Sequence, residues 1–239
     1  MHRLSFVEEK ILHIQGSPVK VQKKMINSLR LRLIPPHGEI RLSVPHWYSD
    51  RKAEQFVLSR WGWIEEQKRT IRAIHPLARQ RYEEAEDILF RGQLYTLRII
   101  QSAKRTGIRI GGDEIHLSEP SGASRSDRQK RMELWYRKEM KKQIDPVILG
   151  WAAEMKVEPS EWRIKKMNTR WGSCNTRAGR IWLNLELITM KPEILEYVIV
   201  HELAHLIEPS HNRNFKAVLD SHLPEWRRLS RELKGEMDL

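Results

Sequence analysis

The segment Val198–Ile207, with the sequence VIVHELAHLI, predicts a buried helix that carries two histidines and one glutamate. Apolar residues surround nearly every side of a helix drawn through residues 194–207, as expected for a helix in a protein core. His201, Glu202 and His205 interrupt this apolar surface. Buried polar side chains need partners, and a metal ion would be a partner for both imidazoles.

The spacing of the three polar residues indicates what such an ion would do. Positions four apart lie on one face of a helix, so His201 and His205 can bind the same ion. Glu202 projects from an adjacent face, from which a carboxylate can reach a water molecule beside the metal without being a ligand itself. The pattern therefore favours metal-assisted hydrolysis.

A catalytic zinc site usually has three protein ligands and one open position, and His211 is the best candidate for the third ligand. In an uninterrupted helix His211 would lie about 9 Å farther along the axis than His205, too far to share its ion. Pro209 should end the helix near Ile207 or Glu208, because proline disfavours the helical conformation of the residue before it. The chain can then turn back towards the first two histidines.

Composition limits the classes of protein to consider. The 239 residues include 43 Lys and Arg against 31 Asp and Glu, a net charge of +12 that favours anionic partners such as nucleic acid. Cys174 is the single cysteine, so an intrachain disulfide is excluded. Residues 1–12 lack the apolar core of a signal peptide, and no run approaches the roughly 20 apolar residues of a membrane span. We therefore expect a soluble cytoplasmic protein.

Hydrophobic periodicity predicts an α+β fold with two domains, residues 1–120 and 125–239. The first is mostly β, with one helix from Asp50 to about Ile71. Its predicted hairpins cover residues 28–44, around a Pro35–Gly38 turn, and residues 88–100 and 107–117. Glu119–Ser124 is the clearest linker. No internal repeat is evident in the sequence.

The second domain is predicted to begin with a long helix over residues 126–155. Strands between Trp162 and Leu185 form a small antiparallel sheet that leads directly into the helix with the two histidines. Two short helices follow, over residues 212–220 and 224–233. The strand Ile181–Leu185 could be an edge strand that pairs with an extended substrate.

Three sequence elements occur together in this half of the chain: Arg170–Cys174 (RWGSC), Leu183-Asn184, and His201–His205 followed by His211 and Phe215. In this order they resemble the YgjP-like or SprT-like zinc metallopeptidases, a family of HExxH zincins. The resemblance covers nearly the whole chain. Leu185 and Lys216 depart from it, since the family commonly has Trp at both positions.

The resemblance implies a zincin-like catalytic domain in which His201, His205 and His211 hold one zinc ion, although other divalent metals stay open. Glu202 would be the general base, and a peptide or protein would be the substrate. Two other functions remain open: a nucleic-acid-associated protein with a structural or dormant zinc site, and a hydrolase of non-peptide amides. Glu225 or Glu232 is an alternative third ligand. The oligomeric state stays open.

Several further residues are candidates for supporting roles. Hydrogen-bond donors for a developing oxyanion are Arg170, Asn184, Tyr197 and His222. Acceptors that could orient the metal-binding imidazoles are Glu196, Glu208 and Asp220. Cys174 is better explained as a small buried residue in a tight turn than as a ligand or nucleophile.

Overall fold

The computed structural model describes residues 6–34, 38–74, 77, 80–102, 106–168 and 170–233. The fold is α+β, as predicted, and the chain divides into two compact units, Met1–Ala78 and Arg79–Leu239. This division falls before the boundary at 120–125, because the sheet over residues 87–119 is grouped with the second unit. The predicted boundary at residues 120–125 is a statement about which segments fold independently. The division into compact units does not test it, so it stays a prediction. Most of the predicted Pro35–Gly38 turn lies outside the described residues.

The first unit contains a sheet of two hairpins. Its strands are β1 (Phe6–Ile14), β2 (Ser17–Lys24), β3 (Arg30–Ile34) and β4 (Glu39–Pro45), in the order β1-β2-β4-β3. Each hairpin is antiparallel, and β2 runs parallel to β4. The sequence analysis predicted the second hairpin and missed the first. Gln15 and Gly16 join β1 to β2 with φ angles of 52° and 71°, the left-handed conformation that two-residue hairpin turns require.

Two helices follow this sheet where one was predicted. They are α1 (Asp50–Ser59) and α2 (Trp61–Ile74), and the helical conformation is interrupted at Arg60. Ser49 caps α1, since its side chain accepts a hydrogen bond from the amide of Lys52. Apolar residues that alternate along β2 and β4 pack against α1 and α2. The buried residues of this core are Ile14, Val19, Val21, Ile40, Leu42, Val44, Ala53, Val57 and Ile64.

The second unit begins with a sheet of the same arrangement. Strands β5 (Asp87–Phe90), β6 (Gln93–Gln101), β7 (Gly107–Gly111) and β8 (Glu114–Glu119) have the order β5-β6-β8-β7, again with two antiparallel hairpins and a parallel central pair. The helix that follows each sheet is capped by a serine, Ser49 or Ser124. Two hairpins and a capped helix are thus repeated in the structure, a repeat that the sequence does not reveal.

The long helix α3 (Arg125–Met155) leads to a smaller sheet, composed of β9 (Glu161–Lys165), β10 (Gly172–Asn175) and β11 (Arg180–Asn184) in the order β10-β11-β9. The prediction of an antiparallel sheet is wrong for β9, which runs parallel to β11. The reason is that the chain crosses the end of β11 between β9 and β10. The buried Asn184 side chain holds this crossing through Nδ2, which donates to the carbonyl oxygens of Met167 (2.8 Å) and Arg170 (2.9 Å).

The remaining elements are helical. A 3-10 helix, Leu185–Thr189, connects β11 to α4 (Pro192–Ile207), which is followed by α5 (Arg213–His222) and α6 (Trp226–Leu233). Helix α4 contacts α3, α5, α6 and β10, and this explains its apolar character on all sides. Across the described ranges, no helix combines the length and the apolarity that crossing a membrane demands.

Candidate metal centre

Helix α4 ends where Pro209 predicts. Glu208, the residue before the proline, has extended backbone angles (φ −135°, ψ 107°), and the last helical residue is Ile207. The chain then turns back, so that Nε2 of His211 lies 3.0 Å from Nε2 of His201. The structure therefore brings His211 to the face of α4 that carries His201 and His205.

The three histidines form a cluster with the dimensions of a metal site. One ring nitrogen from each of His201, His205 and His211 lies within 4.8 Å of the others. Two imidazole nitrogens bound to one tetrahedral zinc at 2.0–2.1 Å would be roughly 3.3 Å apart. Phe215 packs against all three imidazoles, with ring centroids 4.9, 4.6 and 4.8 Å away. The residues present thus fit a bound divalent ion.

The alternative third ligands lie elsewhere. Glu225 forms an ion pair with Arg228 at 2.6 Å, and Glu232 forms one with Lys191 at 2.7 Å. Neither carboxylate belongs to the histidine cluster, which is the one group of metal-binding side chains found in the described part of the chain. The geometry favours His211.

Burial keeps the imidazoles of His201 and His205 in the neutral form that binds metals. Burial, with charge repulsion from the neighbouring His205 and His211, lowers the pKa of His201 to about 3. Burial also lowers the pKa of His205. Metal ligation requires neutral imidazole, so protons compete weakly for these nitrogens near neutral pH.

A backbone group orients one of the imidazoles. The ring nitrogen Nδ1 of His205 donates to the carbonyl oxygen of Glu208 at 3.3 Å, which leaves Nε2 for a metal. The carboxylates proposed for this role are engaged otherwise: Glu196 accepts from the Trp151 indole (2.8 Å), and Asp220 accepts from the Trp226 indole (2.7 Å).

Glu202 lies beside the cluster in a closely packed environment. Its side chain is 5% exposed, and burial raises its pKa to about 8, while the charge of Arg170 opposes this rise. Gly172, at the start of β10, leaves the space that the carboxylate occupies. A Cβ atom at Gly172 would lie 2.3 Å from Oε1 of Glu202, so no other residue type fits there without displacement. The role of Gly172 is not evident from the RWGSC motif alone.

Two cavities meet at this point and together form a cleft. They have volumes of about 380 and 420 Å³, and both are lined by Gly172, His201, Glu202 and His211. The first exposes mostly apolar surface, whereas the second, called its polar end below, has several polar residues in its lining and exposes polar and apolar surface about equally. The histidine cluster and Glu202 therefore lie midway along a cleft whose two ends differ in chemistry.

Of the four candidate oxyanion donors, two line the cleft and two do not. Arg170 lines its polar end and Tyr197 its apolar end. Asn184 is buried and holds the crossing between β9 and β10 instead. His222 forms a contact of 2.8 Å between Nδ1 and the carbonyl oxygen of Val218, and it lines neither cavity.

Cys174 lines the polar end of the cleft but is not part of the histidine cluster. It is half-buried, and burial together with the charge of Glu202 raises the pKa of its thiol to about 11. A thiol with this pKa stays protonated at neutral pH, which disfavours a nucleophile role.

The strand expected to pair with substrate is different from the predicted one. β11 is the central strand of its sheet, paired on both sides by β9 and β10. The prediction that Ile181–Leu185 forms an edge is therefore wrong, because the crossing held by Asn184 places β10 outside it. β10 is an edge strand, and its first three residues line the cleft.

The positive charge predicted to attract anions is partly neutralised within the described residues. Arg128 and Arg131 of α3 both lie beside the buried carboxylate of Glu119. In the β3–β4 hairpin, Arg41 pairs with Glu39 at 2.9 Å. These pairs reduce the uncompensated positive charge of α3 and of the β3–β4 hairpin.

Known proteins that are similar to this chain include one family of metallopeptidases and one solved structure. A family model described as YgjP-like, metallopeptidase domain, matches residues 28–236. None of the curated proteins compared with the chain gives a significant match. Among solved structures, the metallopeptidase zymogen of Pyrococcus abyssi abylysin is similar over 39% of this chain and 93% of its own, with 17% identity and a TM-score of 0.36. A similarity of this size carries no information about the site.

Proposed function

Because the chain belongs to the family of YgjP-like metallopeptidases and is therefore a metal-dependent hydrolase, we propose that it hydrolyses peptide bonds with one zinc ion held by His201, His205 and His211. The observation that carries this proposal is the cluster of three imidazole nitrogens within 4.8 Å of one another, directly beside a buried carboxylate. When bound, zinc supplies a Lewis acid that polarises a carbonyl and lowers the pKa of water to about 7.

Glu202 is the proposed general base. It follows His201 on α4 and packs directly against Gly172, so that its carboxylate lies between the cluster and β10. From this position it takes a proton from water as that water attacks the peptide carbonyl, and it returns the proton to the leaving nitrogen. Arg170, at the polar end of the cleft, is the better placed donor for the developing oxyanion, since it is exposed and near enough to Glu202 to lower its pKa.

The shape of the cleft supports a peptide rather than another amide. β10 presents an unpaired strand edge beside Glu202 and the histidines, and an extended peptide can add to such an edge through backbone hydrogen bonds. A small non-peptide amide has no extended backbone that could form hydrogen bonds along this edge.

The number of ligands supports a catalytic rather than a structural ion. Structural zinc sites are usually closed by four protein ligands. In the described part of the chain the cluster contains three, and Cys174 is not among them. A position therefore stays open for water or substrate.

The proposed function is tested by measuring zinc content and peptide hydrolysis side by side. Zinc-loaded native chain should cleave a library of unstructured peptides, and activity should disappear with a chelator and return with zinc. Glu202→Gln should retain zinc and lose hydrolysis, whereas His205→Ala should lose both. Undiminished hydrolysis by the Glu202→Gln variant would refute the assignment of the base.

A further inference from the structure

The apolar end of the cleft is a cavity of about 380 Å³ beside Glu202 and His201. Side chains from α4, α5, α6 and the segment before β10 form its walls: Trp171, Tyr197, Val198, Phe215, Trp226 and Leu233. Pockets that bind small ligands begin at roughly 300 Å³. The cavity is therefore large enough for one bulky side chain of a substrate.

Two polar groups in these walls, the Tyr197 hydroxyl and the Trp226 indole, already have partners. The hydroxyl of Tyr197 shares a hydrogen bond with the Ser230 side chain, and the Trp226 indole donates to Asp220 at 2.7 Å. A polar substrate side chain would lose its bonds to water in this cavity and find little replacement, which costs free energy. The walls thus favour an apolar occupant.

Lys216 adds discrimination by charge. It lies at the exposed rim of the cavity, one residue after Phe215. A lysine or arginine of the substrate would place a like charge beside it, which is unfavourable. Cationic side chains are therefore disfavoured more strongly than neutral polar ones.

The course of β10 indicates which substrate residue enters this cavity. Trp171, directly before β10, lines only the apolar cavity, and Gly172 lines both. Cys174 and Thr176, near and just beyond the other end of β10, line only the polar one. A peptide that pairs with β10 in the antiparallel direction runs from the Cys174 end to the Gly172 end. The residue on the carboxyl side of the cleaved bond then faces the apolar cavity.

We propose that the cavity between α4, α5 and α6 selects a large apolar or aromatic side chain on the carboxyl side of the scissile bond. This inference rests on the proposed peptidase function and names the substrate residue that it recognises. Ser230 of α6, opposite Tyr197, is a position from which the cavity can be filled.

The test begins with substrate preference. Zinc-loaded native chain is given peptides that differ at one position by Phe, Leu, Ser, Asp or Lys, and cleaved bonds are located by mass spectrometry. We expect kcat/KM to be at least ~10-fold higher when Phe or Leu follows the cleaved bond than when Ser does, with Lys the poorest. An apolar preference before the bond, or none at all, would overturn the proposal.

Two variants at Ser230 separate filling from loss of a hydrogen bond. Ser230→Phe fills the cavity, and Ser230→Ala removes the same hydrogen bond but leaves the cavity open. The ratio of kcat/KM for the Phe and Ser peptides should fall to about 1 in Ser230→Phe and stay high in Ser230→Ala. Ser221→Phe adds the same side chain at an exposed position of α5 outside the cavity and should keep the native ratio. An unchanged ratio in Ser230→Phe would contradict the proposal.

A binding measurement distinguishes this inference from the peptidase proposal. Zinc-loaded Glu202→Gln protein is titrated with the Phe and Ser peptides, and the Phe peptide should bind at least ~10-fold more tightly. Tighter binding without any hydrolysis by the native chain would defeat the proposed function and leave the cavity assignment standing. Hydrolysis with equal binding of both peptides would defeat the cavity assignment alone.

Discussion

Gly172 and Glu202 lie in such close contact that a Cβ atom on Gly172 would be 2.3 Å from the carboxylate oxygen Oε1. We predict that Gly172→Ala displaces Glu202 and lowers kcat/KM by about 100-fold, since misplacing a reacting group by about 1 Å has this effect. The histidines are untouched, so zinc content, measured by elemental analysis, should stay at one per chain. Gly150→Ala is the matched control, because a Cβ there meets nothing within 4 Å.

Removing the charge of Glu202 should stabilise the metal-free protein at alkaline pH. Burial raises the pKa of Glu202 to about 8, above its value of 4.5 in an unfolded chain, so its contribution to stability is present below pH 4.5 and is lost as pH rises to 8. Glu202→Gln stays neutral throughout. In urea unfolding with a chelator, the variant should gain at least about 1 kcal/mol over the native chain at pH 8. The gain should be several-fold smaller at pH 5, and equal gains at both pH values would contradict the prediction.

The third ligand can be tested by comparing two variants. His211→Ala removes one nitrogen of the cluster and should weaken zinc binding by more than ~100-fold in a competition titration with a chromogenic chelator. Glu232→Gln removes the alternative ligand, whose carboxylate pairs with Lys191, and should leave zinc affinity unchanged. The reverse result would transfer the ligand role to Glu232.

Arg170 should set the pH at which hydrolysis becomes efficient. Its positive charge lowers the pKa of Glu202, so Arg170→Ala should raise that pKa and move the acidic limb of kcat/KM against pH to higher pH. Arg170→Lys keeps the charge and should keep the position of the limb. If Arg170 acts as an oxyanion donor as well, kcat on the pH plateau should also fall, by ~10-fold or more in the alanine variant.

Helix α4 could be predicted from the sequence because its signals are local. The apolar residues, the two histidines one turn apart and the terminating Pro209 all fall within the helix or directly after it. The β1–β2 hairpin was missed although it is local, because its Gln15-Gly16 turn is a weaker signal than Asn-Gly or Asp-Gly. The parallel direction of β9 had no local signal, since it depends on hydrogen bonds from Asn184 to a segment 14 and 17 residues away.

The candidate site divides in the same way. His201, Glu202, His205 and His211 were found because the helix and its end fix their spacing. The role of Gly172 and the walls contributed by Trp226 and Leu233 were not found, because they depend on how β10 and α6 pack against α4. Tertiary contacts of this kind leave no periodic pattern in a single sequence.

The residues that line the cleft all fall between Arg170 and Leu233, which bears on how the protein folds. Bringing Gly172 against Glu202 closes a loop of tens of residues, and the entropy lost in such a closure grows only with the logarithm of its length. Contacts that are short in sequence also form faster than distant ones. We therefore expect the metal centre to assemble by closure of this carboxy-terminal segment upon itself.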